Sequence, residues 1–174
     1  MRHRIPSLFL ALLSLSLALP STGRAQVASI QGSFVYDPAA SDNVNTAINN
    51  AVSRMNFALR PIARGRLRKT NQQYQRITIS YTTSQVSVAM DGREPIVTPA
   101  NGTPIDWTRE DGEKLKVSTE WDNGTLEQTF KADDGQRVNG YSVSPDGRTL
   151  TMQVTVTSPR LPSPLSYKLV YRKR

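Results

Sequence analysis

Six Asx-Gly dipeptides stand between residues 91 and 147: Asp91-Gly92, Asn101-Gly102, Asp111-Gly112, Asn123-Gly124, Asp134-Gly135 and Asp146-Gly147. Successive ones lie 10 to 12 residues apart. Such pairs accept the positive φ of a type I′ turn, whose twist matches that of the flanking strands. The interval leaves room for one strand between turns, so the rhythm predicts an antiparallel meander.

The residues between the turns alternate as strands do. Ile77, Ile79 and Tyr81 face one way, as do Val86, Val88 and Met90, then Leu115, Val117, Thr119 and Trp121, then Leu126, Gln128 and Phe130. Leu150, Met152, Val154 and Val156 follow, and Leu165, Tyr167, Leu169 and Tyr171 close the chain. With a weaker strand at Ile96, a short one at Ile105 and Trp107, another at Tyr141 and Val143, and an opening strand over Gly32–Tyr36, eight to ten strands are expected. A sheet of that size with one dry face curls on itself or is covered by a helix. The fold class is therefore mainly β: an up-and-down meander over residues 74–173 forming a complete or incomplete barrel. Thr119 and Gln128 fall on its dry face. They imply either a partly wet interior or hydrogen bonds to backbone at a barrel end.

One amphipathic helix is expected between the first and second strands, over residues 42–64, capped by Ser41 or Asp42. Val44, Ile48, Val52, Met55, Leu59 and Ile62 make a single 3.6-period stripe. Pro61 predicts a kink near Leu59–Arg60, with one further turn ending at Gly65. Phe57 points away from the stripe, beside Arg60.

Residues 1–25 read as a secretory signal peptide. Arg2, His3 and Arg4 precede an apolar run from Leu8 to Leu19, and Gly23 and Ala25 place small residues at a cleavage site near Ala25-Gln26. The run is too short to span a bilayer. With no cysteine there is neither a lipoprotein anchor nor a disulfide. One exported domain over residues 26–174, periplasmic or secreted, is the expectation.

The chemistry is bounded by what is missing. The one histidine, His3, lies in the signal segment, and there is no cysteine. Cys–His and Ser–His–Asp catalysis, histidine-ligated haem and ordinary zinc sites are excluded, leaving no catalytic residue, metal or cofactor. The acids of Glu110, Asp111, Glu113, Asp133 and Asp134 sit beside turn glycines and serve turn geometry. Charge is uneven: residues 43–90 carry seven bases and no acid. Five of those bases, Arg60, Arg64, Arg66, Arg68 and Lys69, fall within ten residues and suit an anionic membrane surface or envelope polymer. Export and the lack of interleaved aromatics argue against nucleic acid.

A Gly-x-aromatic strand (Gly32-Ser33-Phe34), a helical segment, and a meander ending in an aromatic–basic strand (Tyr171-Arg172) resemble the calycin group of lipocalins and fatty-acid-binding proteins. The order strand–helix–meander is most similar to the fatty-acid-binding branch and to exported bacterial lipocalin-like proteins. The lipocalin tryptophan is replaced by Phe34, and the basic residue that packs across it maps to Arg172. Where that branch has a helix pair, this chain reads as a single Pro-broken helix. The resemblance implies a barrel holding a fatty acid or similar amphiphile, with Trp107, Trp121, Phe130 and Tyr141 lining the cavity and Phe57 and Arg60 at its mouth. The alternative is an envelope scaffold with a filled core that contacts anionic surfaces through the basic helix end.

Overall fold

The computed structural model describes residues 30–174. The expected signal segment and cleavage site lie outside them. Ten strands form one antiparallel sheet: β1 (Gly32–Tyr36), β2 (Arg76–Tyr81), β3 (Gln85–Met90), β4 (Ile96–Pro99), β5 (Ile105–Thr108), β6 (Lys114–Asp122), β7 (Thr125–Ala132), β8 (Gly135–Val143), β9 (Thr149–Thr157) and β10 (Leu165–Lys173). Their spatial order is β4-β3-β2-β1-β10-β9-β8-β7-β6-β5. The sheet curls until β4 approaches β6, leaving one seam, between β4 and β5, without a hydrogen-bonded ladder. The expected meander is thus a nearly closed barrel.

The turns that set this rhythm are of three kinds. Asp91-Gly92 and Asn123-Gly124 have positive φ at both residues, whereas at Gly102, Gly112 and Gly147 only the glycine does. Asn101-Gly102 crosses the seam instead of closing a hairpin, because β4 and β5 do not pair. Asp133 and Asp134 make the β7–β8 turn, and Gly135 already pairs with Ala132.

Two helices, not one, separate β1 from β2: α1 (Val44–Val52) and α2 (Arg60–Thr70). Ser41 and Asp42 do not cap α1. Ser41 Oγ accepts from Val170 N (2.8 Å) and the Asp42 carboxylate from Lys168 N (2.7 Å), fastening this segment to β10. Asn43 is the cap instead, accepting from Thr46 N at 3.1 Å. Pro61 starts the second helix rather than kinking the first, since a first-turn proline has no hydrogen bond to lose. Gly65 lies inside α2. The stripe therefore divides: Val44, Ile48 and Val52 are buried, while Leu59 and Ile62 stand at 53% and 58% exposure.

Phe34, Ile77, Leu126, Tyr141, Leu150, Met152 and Tyr171 are fully buried and fill much of the barrel, with α1 closing over them. Across Phe34 lies Lys173, its Nζ 5.7 Å from the ring centroid. Arg172, expected there, points outward and donates to Asp37 at 2.9 Å. The alternation of β10 explains the difference, because Phe34 registers with Lys173. A side chain at Gly32 would come within 3.0 Å of Lys173, so the glycine makes room for the crossing.

Candidate functional site

A cavity of about 510 Å³ opens at the end of the barrel where α2 finishes. Its walls are Val88, Met90, Ile96, Trp107, Leu115, Phe130 and Val156, and its rim carries Lys69, Arg93, Glu94, Arg109, Glu110, Asp111 and Glu113. The size falls in the range of small-molecule sites. Trp107 and Phe130 meet edge to face at 5.9 Å.

On one wall a polar cluster replaces the apolar lining. Arg137 occupies an inward position of β8, between its register partners Phe130 and Val156. Its Nε donates to Asn139 Oδ1 (2.7 Å), and its Nη1 donates to Thr70 O (2.9 Å) and Asn71 Oδ1 (3.2 Å). Asn71, 4% exposed, follows α2 directly. Its Nδ2 donates to Leu67 O at 2.8 Å, and its Oδ1 also accepts from Tyr167 OH at 3.1 Å. The guanidinium thus sits at the negative end of the helix, where a cation is favoured. Deeper in, Asn139 Nδ2 donates to Tyr141 OH (3.2 Å), which donates to Gln128 Oε1 (3.2 Å). Burial pushes the Tyr141 and Tyr167 phenols up, so both stay neutral and Arg137 is the only charge in the cluster. No carboxylate pairs with Arg137 among the described residues, and its buried Nη2 has no partner.

The rim is held differently. Arg109 Nε donates to Asp111 Oδ1 at 2.8 Å, and Arg109 Nη2 also reaches Glu113 across the β5–β6 turn. That turn is tied to α2 by Lys69–Asp111 (3.8 Å) and to the β3–β4 connection by Arg93–Glu110 (3.0 Å). The hydrogen bond from Arg109 is the chief reason the Asp111 carboxyl is held down at about 2. A depressed carboxyl favours the folded rim above its unfolded value near 4, and that contribution is lost as pH falls toward 2. The side-chain carboxyl resonance of Asp111 is expected to titrate with a midpoint near pH 2 in NMR. A midpoint near pH 4 would mean that the Arg109 clasp is not formed in solution.

Of the aromatics expected at a cavity, Trp107 and Phe130 line it. Tyr141 lies beneath it, hydrogen-bonded to Gln128, and Trp121 packs on Tyr81 (6.4 Å) farther along the barrel. Phe57 is 80% exposed, and Arg60 Nε donates to Met55 O (2.8 Å), so neither is at the mouth. The eleven residues of α2 separate them from it by about 15 Å. The five bases of the α2 segment are also dispersed. Lys69 joins the rim and Arg68 bonds Asn45 (3.0 Å), while Arg64 is half-buried and Arg66 exposed. Arg137, Asn139 and Asn71 were not expected from the sequence. Counting back by twos from Tyr141 would have placed the first two on the inner face.

The chain has no cysteine, and no cluster suited to a metal occurs among the described residues. No protein-family model matches the chain, and no curated protein does. Solved structures do share its fold. The chain is similar to a fatty acid transporter, REP1-NXSQ, at 16% identity, over 84% of this chain and 97% of that one, with a TM-score of 0.54. It is also similar to a secretary abundant heat soluble protein from Ramazzottius varieornatus, at 12% identity over 84% and 96%, with a TM-score of 0.56. At these identities the likeness shows a shared fold, the nearly closed antiparallel barrel.

Proposed function

We propose that this chain is an exported, non-enzymatic carrier of an anionic amphiphile, held with its charged head against Arg137 and its tail along the Trp107–Phe130 wall. One observation carries the reading: a guanidinium facing the cavity, without a protein carboxylate, keeps a buried donor unpartnered. A buried charge without a counter-charge is unfavourable, and a ligand anion relieves it. A tail of about ten carbons adds on the order of 8 kcal/mol of burial before the costs of association. The fatty acid transporter of similar fold supports the ligand class, and the Arg2–Ala25 leader supports export.

The test is displacement of a fluorescent fatty-acid probe from the chain beginning at Gln26, with native mass spectrometry of protein purified from its own host. Displacement by dodecanoate and a lipid-sized adduct are expected. The absence of both would overturn the carrier reading.

A second reading concerns where the carrier docks. Phe57, Leu59 and Ile62 are three of the five exposed large hydrophobics among the described residues, and Arg54, Arg64 and Arg66 lie near them in sequence. Apolar side chains among bases suit an anionic lipid surface. Neutralising Arg60, Arg64, Arg66 and Arg68 together is expected to abolish sedimentation with anionic vesicles at low salt. Unchanged sedimentation would overturn it.

A further inference from the structure

The cavity ends where the barrel turns polar, and the strand register marks the boundary. Val117 on β6, Phe130 on β7, Arg137 on β8 and Val156 on β9 are successive register partners, so they stand at one level. Of these, Phe130, Arg137 and Val156 line the cavity. One row deeper stand Thr119, Gln128, Asn139, Val154 and Tyr167, across five adjacent strands. Each is at most 2% exposed, and of them only Asn139 lines the cavity. Four of the five are polar. Asn139 donates to Tyr141 OH, which donates to Gln128, and Tyr167 donates to Asn71. Thr119 Oγ1 and Gln128 Nε2 bond no backbone, the alternative that the sequence left open.

Beneath that row the barrel is filled. Leu126, Tyr141, Met152 and Leu169 form the next level, all fully buried and none of them lining the cavity. A tail that descended would have to enter this packed interior, where added methylenes force strain. It would also part the hydrogen bonds of the polar row and leave buried amides and hydroxyls facing carbon. The open direction is toward the rim. From Val117 the wall runs three residues to Lys114 at the end of β6, with the β5–β6 turn beyond it. That is roughly 15 Å of wall. A straight alkyl chain advances roughly 1.25 Å per carbon.

We infer that the polar row is a partition, which confines the ligand to the mouth half of the barrel and limits its useful tail to about twelve carbons. The inference rests on the carrier reading and adds the length class of the ligand, a medium-chain acid. Carbons beyond the rim stay in water and contribute no burial.

The experiment is calorimetric titration with octanoate, decanoate, dodecanoate and hexadecanoate, each below its micellar concentration. Affinity is expected to rise about tenfold for each pair of carbons up to dodecanoate, and hexadecanoate to fall within about threefold of it. The place of the tail is read with 12-bromododecanoate, whose terminal bromine quenches a tryptophan that it touches. The chain has two tryptophans. Trp107 lines the cavity, and Trp121 lies below the partition, six residues along β6 from Leu115, the register partner of Trp107. Quenching is expected in Trp121→Phe, which keeps Trp107, and not in Trp107→Phe. Should Trp107→Phe fail to bind, a larger quenched fraction in Trp121→Phe than in the unaltered protein gives the same result. A rise beyond about threefold from dodecanoate to hexadecanoate, quenching of Trp121, or no quenching of Trp107 would overturn the partition and leave the carrier reading intact. Failure of every acid to bind would overturn both.

Discussion

Replacing Arg137 by glutamine is expected to weaken dodecanoate binding about 10- to 100-fold, the loss that follows from removing a charged hydrogen bond worth about 1.5–3 kcal/mol. Dodecanol, with the same tail and no charge, should change by less than threefold. The contrast is the point of the measurement, because Arg137 also holds α2 through Thr70 O and Asn71. If glutamine merely loosened the helix, both ligands would suffer alike. Equal losses would therefore assign Arg137 to holding the helix and remove it from head-group recognition. Arg137→Lys should fall between, since an ammonium keeps the charge but not the fork that spans Asn139, Thr70 and the unpartnered Nη2 position. Calorimetry with both ligands, at a salt concentration held constant, reads all three.

The barrel was legible in the sequence because period-two alternation and spaced turns are local signals. Periodicity assigns a face, however, and not a depth. Leu115, Val117, Thr119 and Trp121 share the inner face of β6, yet Leu115 borders the cavity while Trp121 packs on Tyr81 well along the strand. That is why Trp107 and Phe130 line the cavity while Trp121 lies farther along the barrel and Tyr141 beneath it. The polar cluster was hidden for a related reason. Asp133-Asp134-Gly135-Gln136-Arg137 reads as one polar turn, and only the pairing of Ala132 with Gly135 reveals that β8 has already begun. Asn71 carried no local signal, because its role depends on Arg137 and Tyr167, which are 66 and 96 residues away. Thr119 and Gln128 were legible as anomalies. Their meaning needed the register that puts them in line with Asn139.

The helical region offers the sharpest stability test, because a single sequence stripe there became two environments. Ile48 and Ile62 are both isoleucines on that stripe, at 1% and 58% exposure. Ile48→Ala leaves a hole between α1 and the barrel core and should cost about 2–5 kcal/mol. For a domain of this size that lowers Tm by roughly 10 °C. Without a disulfide, the chain has no cross-link to limit the effect. Ile62→Ala removes a side chain that water already reaches, and should change stability by no more than about 0.5 kcal/mol. A single continuous helix lying along the barrel would bury both and give two large losses. Urea unfolding of the two variants, compared through their midpoints at constant slope, therefore reports whether the chain breaks at residues 53–59. Comparable losses at both positions would refute the break. A large loss at Ile48 alone would leave Ile62 free, beside Phe57 and Leu59, for the lipid-facing role proposed above.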